Sequence, residues 1–254
     1  MPSRQRSFRV EAIVLRHMNY GEADRMIDVF TREMGKLRVI AKGVRKLRSR
    51  KAGHLEPFTC ASLQLAKGRE LPIVTQAEAV NLFDALRENL TLIGYASYVV
   101  ELLDRFTYGD GENTALYHLL KDTLSQLASG VDPEFLLRFY ELHLLDLLGY
   151  RPQLRQCARC EIEIQPQDQY FSAEFGGALC PQCGRLTPKA VPVSLPALKY
   201  LRHLQRSNFS QASRADIPAG TLHEMEMLLS HYLTYLLERR LNSPDFIRRV
   251  ARQA

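Results

Sequence analysis

Four of the five cysteines fall into two pairs of one spacing, Cys157-x2-Cys160 and Cys180-x2-Cys183, with nineteen residues between the pairs. That pattern suits a four-thiolate metal site. Two residues between cysteines let a tight turn aim both sulfurs at one ion, and nineteen suffice for an excursion that brings the second turn beside the first. Cys180-Pro181-Gln182-Cys183-Gly184 carries the proline and glycine such a turn favours. Four thiolates fill a tetrahedral shell and leave no position for water, so the expected ion is one structural Zn2+ per chain held by Cys157, Cys160, Cys180 and Cys183. Iron suits the same donors. Four unrelated buried cysteines, or a redox pair, are the competing readings. Cys60, in a strand-like stretch, is expected to be a small buried apolar residue.

A second constellation is electrostatic. Lys36, Arg38, Lys42, Arg45, Lys46, Arg48, Arg50 and Lys51 follow one another with no acid between Glu33 and Glu56. Gly43, Ser49 and Gly53 let the backbone approach a phosphate chain. Tyr20, Phe30 and Phe58 lie nearby and either stack on bases or fill a core. Cations that track a sugar-phosphate backbone, interleaved with rings, suit single-stranded nucleic acid; a solvated loop is the plain alternative. The candidate contacts are Arg38, Lys42, Arg45, Lys46, Arg48, Arg50 and Lys51. A further set, Lys199, Arg202 and Arg206, stands at helical spacing on one face, with Arg239, Arg240, Arg248 and Arg249 beyond it. It either extends the track or is a solvated helix surface.

No catalytic signature accompanies these groups. The sequence has no GxxxxGK[ST] phosphate loop, no HExxH and no GxSxG. The seven histidines stand apart from the cysteine motifs, and His118 and His143 read as core or capping residues. The expectation is a protein that is not an enzyme.

The elements that must position these groups follow from periodicity. Residues 8–17, 26–32, 36–42, 58–67 and 71–80 read as five short strands, with turn signals at Asn19-Tyr20-Gly21, Gly35 and Gly68. In the third, Leu37, Val39 and Ala41 should face one side and Arg38, Ile40 and Lys42 the other. Five strands fit either an OB-fold barrel or an open sheet. After Asn81 the period becomes helical. Tyr95, Tyr98, Val99, Leu102, Leu103 and Phe106 form one stripe, ended by Gly109, Asp110 and Gly111. Residues 114–128 are a second helix. Asp132-Pro133 is an N-cap with proline at the first helical position. It opens a helix apolar nearly all round, the expected core of a bundle, which Gly149 stops. Residues 151–193 are proline-rich and poor in aliphatics. Helices resume at 196–206, at the stripe Leu222, Met225, Leu229, Tyr232, Leu233 and Leu236, and in a last short helix that Ser243-Pro244 is expected to cap. The fold class is therefore α+β: an N-terminal OB-fold β-barrel over 1–80, an α-helical domain over 81–254, and an inserted four-cysteine zinc element at 151–193.

Composition agrees. The chain has 254 residues, with 46% hydrophobic and 24% charged, an ordinary globular balance. The net charge is +6, but residues 1–80 hold sixteen basic side chains, Arg4 and Arg6 among them, against eight acidic ones. Their net +8 faces −2 in the remainder, which points to a polyanionic partner for the first part. There is no apolar run of membrane-spanning length and no apolar stretch in residues 1–11 like that of a secretory signal. An odd cysteine count in a chain read as intracellular argues for thiols or metal ligands over disulfides.

The segment Tyr20-Gly-Glu-Ala-Asp-Arg-Met-Ile-Asp-Val-Phe-Thr-Arg-Glu-Met-Gly-Lys36 resembles the RecO family of bacterial recombination and repair mediators. So do Ala41-Lys-Gly-Val-Arg-Lys46, Ser49-Arg50 and Leu55-Glu-Pro-Phe58. The family's order of OB-fold, helical domain and four-cysteine element matches over essentially the whole chain. Some members lack the cysteines; this one keeps all four. The resemblance implies binding of single- and double-stranded DNA and annealing of complementary strands. It further implies joint action with RecR and the single-stranded DNA-binding protein in loading recombinase onto coated DNA, in the cytoplasm at the nucleoid. An RNA- or tRNA-binding OB protein, a protein-interaction scaffold meeting acidic tails, and a thiol oxidoreductase are the alternatives.

Overall fold

The computed structural model describes residues 7–108, 111 and 113–251. Arg4 and Arg6, and the helix end expected at Gly109 and Asp110, lie outside the described residues.

Strands β1 (Ser7–Tyr20), β2 (Asp24–Thr31), β3 (Gly35–Ala41), β4 (Cys60–Ala66) and β5 (Ile73–Asn81) close into a barrel in the order β1-β2-β3-β5-β4. β1 pairs with β4 through its first half and with β2 through its second, and a bulge between Val14 and Arg16 bends it from one partner to the other. A short parallel contact, Ile40 opposite Ile73, completes the closure. The open-sheet alternative is thereby excluded. Alternation holds in β3: Leu37, Val39 and Ala41 are buried, while Arg38 is exposed. Val10, Ala12, Val14, Ile27, Val29, Leu63 and Leu65 fill the interior with them.

Two turns differ from expectation. β1 runs through Asn19 and Tyr20, because pairing with Asp24 and Arg25 continues to the strand's end, and the reversal falls at Gly21 to Ala23. Gly35 does not break a strand but opens β3 at φ +68°, a left-handed conformation that glycine adopts freely. The turn before it is closed by Thr31, whose hydroxyl donates to the Gly35 carbonyl and accepts from the Met34 N–H.

Helices α1 (Asp84–Glu88), α2 (Leu90–Phe106) and α3 (Thr114–Ala128) follow. The stripe of α2 is extended toward its N-terminus, where Asn89 accepts from the Thr91 and Leu92 N–H groups. The sequence reading missed α1, a single turn too short for a periodic signal. The chain next forms α4 (Pro133–Leu147), then β6 (Gln169–Ser172), β7 (Gly177–Leu179), α5 (Pro181–Arg185) and β8 (Val191–Val193). It ends in α6 (Leu195–Arg206), α7 (Phe209–Ala212), α8 (Ala219–Leu237) and α9 (Ser243–Ala251). Asp132 caps α4 as expected, accepting from Glu134 and Phe135 N–H groups ahead of Pro133. At α9 the expected serine cap is otherwise engaged. The Ser243 hydroxyl and N–H both donate to Glu101 of α2, at 2.7 and 2.9 Å.

Packing divides the chain elsewhere than the change of period does. One compact unit comprises residues 1–129 and 243–254, the other 130–242. In the first, part of the outer face of the barrel is apolar as well as its interior. Ile13, Phe30 and Cys60 are buried although their strand neighbours face the core, and helices α1–α3 share this unit with the barrel. Glu11 of β1 accepts from the Tyr117 hydroxyl at 2.8 Å and the Lys121 ammonium at 2.7 Å. Lys36 of β3 pairs with Asp104 of α2 at 2.6 Å. In the second unit α4, buried on nearly every face, packs against α6 and α8. β6, flanked by β7 and β8, forms a small antiparallel sheet.

Candidate metal centre and nucleic-acid interface

The two CxxC turns come together as their spacing requires. The sulfurs of Cys157, Cys160, Cys180 and Cys183 all lie within 4.8 Å of one another. Cys160 Sγ and Cys180 Sγ are 3.9 Å apart; a tetrahedral shell with metal–sulfur bonds of about 2.3 Å sets sulfurs about 3.8 Å apart. The donor set fits a structural metal. The Cys180 N–H donates to Cys157 Sγ at 3.4 Å and the Cys183 N–H to Cys180 Sγ at 3.5 Å, so the backbone favours charged sulfur. Burial pushes the Cys157 thiol up, but N–H groups of Cys180, Cys160 and Arg159 outweigh it and hold it at about 6. Desolvation, with hydrogen bonds from its neighbours, raises Cys183 to about 12. Four thiols this close ionise together in the presence of a cation that balances their charge.

The nineteen intervening residues end in the β6–β7 hairpin. Gly184 is needed there for space and not for turn conformation: a Cβ would run into the Tyr170 ring of β6. The left-handed residue at the matching place in the first turn is Glu161, φ +63°. Phe171 of β6 meets Tyr232 of α8 edge to face, centroids 5.5 Å apart. Ser194 donates through both N–H and hydroxyl to Glu224 of α8, each at 2.6 Å. These contacts seat the element on the bundle, and Cys60, in the other unit, is buried beside Tyr117, 3.3 Å from its hydroxyl.

The basic loop is built, not slack. Val44 is buried in the barrel core, the Gly43 N–H donates to Asp24 at 2.7 Å and the Arg45 N–H to the Ala23 carbonyl at 2.9 Å. A single 3-10 turn, Ala52–Leu55, brings Leu55 into the same core. Among the described residues, Lys42, Arg45, Lys46, Arg48 and Arg50 form no ion pair with a carboxylate, and all five are exposed.

Two neighbours are otherwise committed. Arg38 binds Asp28 of β2 through two nitrogens, at 2.6 and 3.0 Å. The Lys51 ammonium donates to the carbonyls of Val74 and Lys42, at 2.8 and 3.3 Å, and burial lowers its pKa. The run lacks acids in sequence, yet strand pairing and helix packing supply Asp28 and Asp104 from elsewhere. Phe30 and Phe58 are buried, and of the three rings only Tyr20 is exposed.

Asp28 is itself buried and takes a second guanidinium, from Arg16 at 2.8 Å. Burial opposes its charge, but hydrogen bonds from Arg38 and Arg16 outweigh that and hold the carboxyl below its ordinary value. A carboxyl depressed in the folded state stabilises fully above its unfolded value and loses that contribution as pH falls through the folded one. The window lies below about pH 4. Asp28→Asn is expected to cost about 1.5–3 kcal/mol at pH 7. Urea titrations at pH 7 and pH 3 should show wild type converging on the variant in acid; parallel behaviour would exclude Asp28 from the acid transition.

In the second unit, Lys199 and Arg206 are exposed, and Lys199 lines an open cavity of about 600 Å³ with Tyr200, His203 and Arg214. Arg202 does not join them. Its Nε donates to the Leu154 carbonyl at 2.8 Å, tying α6 to the start of the metal element, as Gln205 does to Pro152 at 2.9 Å. Arg214 escaped the sequence reading because it reaches the cavity from beyond α7. No helix among the described residues is long and apolar enough to cross a membrane.

Comparison with known proteins matches both halves of the chain. The family described as "Recombination protein O N terminal" matches residues 5–83, and "Recombination protein O C terminal" matches 87–245. The chain is 45% identical over 244 residues to the DNA repair protein RecO of Roseiflexus sp. (strain RS-1), covering 96% of this chain and 86% of that one. It is 36% identical over 232 residues to the protein of that name from Dehalococcoides mccartyi (strain CBDB1), with 91% of each covered. With that of Pelotomaculum thermopropionicum it shares 38% over 242 residues, 95% of this chain and 94% of the other.

Proposed function

The chain belongs to the RecO family of DNA repair proteins, and from that premise we propose that it is a non-enzymatic mediator of repair and recombination. It binds single- and double-stranded DNA, anneals complementary strands, and with RecR and the single-stranded DNA-binding protein helps load recombinase onto coated DNA. The observation that carries the reading is the braced loop of five exposed cations, Lys42, Arg45, Lys46, Arg48 and Arg50, on an OB barrel. Annealing requires a protein that neutralises phosphates without covering base edges, and backbone cations do this because phosphate contacts carry no sequence information. Lys199 and Arg206 are candidates for holding a second strand. Arg38, Lys51 and Arg202 serve this role indirectly, by fixing the surfaces from which the free cations project.

The metal is inferred to be zinc, held by Cys157, Cys160, Cys180 and Cys183. It supplies a structural cross-link; four thiolates complete its shell, so it offers no position for substrate.

The test is the salt dependence of single-strand binding. About five phosphate contacts give a slope of log affinity against log salt near −3.5. Replacing Arg45, Lys46 and Arg48 with alanine should reduce its magnitude to about 1.4, one contact of about 0.7 being lost with each cation. An unchanged slope would remove this loop from the interface. Annealing of complementary oligonucleotides, with and without the coating protein, tests the second half of the reading, and matched RNA oligonucleotides test the choice of nucleic acid.

A further inference from the structure

One exposed residue of the basic loop is not a cation. Leu47 is wholly solvent-accessible and stands between Lys46 and Arg48, both exposed. A lone surface leucine means little in itself. Its support gives it meaning. The Ser49 N–H donates to the Lys46 carbonyl at 2.9 Å, closing a turn whose two central residues are Leu47 and Arg48. The Lys46 N–H donates to the Gly43 carbonyl at 3.2 Å. Below this turn, Val44 is locked into the barrel core, and the Lys51 ammonium ties the far end of the loop to Val74. Hydrophobic collapse would draw a free leucine onto the barrel; this turn holds it out among positive charges.

We propose that Leu47 is a wedge: it enters a base step of duplex DNA whose phosphates are held by Lys46, Arg48 and their neighbours, and unstacks that step. The inference rests on the DNA-binding reading above. Apolar side chains carried on a cationic surface part base steps in this way, and burial of the side chain offsets the cost of lost stacking. Charge complementarity selects the occupant, since every other exposed residue from Lys42 to Arg50 is cationic.

The chain contains no tryptophan, so Leu47→Trp places a single indole reporter at the tip. Anisotropy of a labelled duplex reports binding independently. On binding, the indole emission is expected to be quenched by stacking on bases. A duplex carrying 2-aminopurine should brighten with wild type and stay dark with Leu47→Ala. That alanine variant should lose about threefold or less in affinity, because burial and unstacking offset one another, with an unchanged salt slope because no phosphate contact is lost. Binding with unquenched indole and dark 2-aminopurine would overturn the wedge and leave the DNA-binding reading standing. So would a Leu47→Ala variant that keeps the 2-aminopurine signal and instead loses RecR, which would make Leu47 a protein contact. Absence of binding in the anisotropy arm would overturn both.

Discussion

Replacing Cys157 and Cys183 together by serine is expected to abolish metal binding and unfold residues 151–193. The strands there are four, three and three residues long, and a sheet that short is not stable alone. The element's buried apolar side chains are few: Leu154, Ile164, Phe171, Ala178 and Leu179 carry most of it. Structural zinc in finger peptides provides about 10–16 kcal/mol of apparent binding energy, as much as the whole stability of an ordinary domain. Elemental analysis should fall from one metal per chain to none, and amide protection in β6 and β7 should drop to that of an open chain. Protection in β1–β5 should persist, since no residue of the element belongs to the barrel core. Full protection of β6 without metal would show that packing on α8, through Phe171 and Tyr232, suffices by itself.

The metal element was legible because its chemistry is local: two CxxC turns each define a pair of donors within four residues, and a tetrahedral ion requires the pairs to meet. The barrel was legible through alternation, which β3 obeys residue by residue. What sequence could not supply is what lies across a strand or a helix. The run from Lys36 to Lys51 reads as eight equivalent cations. Pairing of β2 with β3 puts Asp28 opposite Arg38, and α2 brings Asp104 to Lys36, so those two are held. Lys51 is drawn inward by two carbonyl oxygens. Arg202 shares a helical face with Lys199 and Arg206 on spacing alone, yet it turns to Leu154. That the first helices share a compact unit with the barrel was hidden for a similar reason. The outer face of the barrel is apolar at Ile13, Phe30 and Cys60, and a strand buried on both faces alternates only in which layer it meets.

The buried pair on α4 carries the second large expected effect. Arg138 Nη2 donates to Glu141 Oε1 at 2.7 Å, with the two side chains 6% and 1% exposed. A helix apolar on nearly every face carries two charges only at a desolvation cost, and their attraction offsets it while both remain. Arg138→Ala removes the guanidinium and leaves a carboxylate inside the bundle of α4, α6 and α8. The expected loss is about 3–5 kcal/mol, seen as a lower urea midpoint at unchanged slope. Removing both charges reverses the logic. Arg138→Met with Glu141→Leu should recover to within about 1 kcal/mol of wild type or exceed it, because apolar side chains of similar volume need no desolvation. If the double variant is as unstable as Arg138→Ala, the loss comes from packing of the arginine stem, and the pair's charge is not what the bundle depends on.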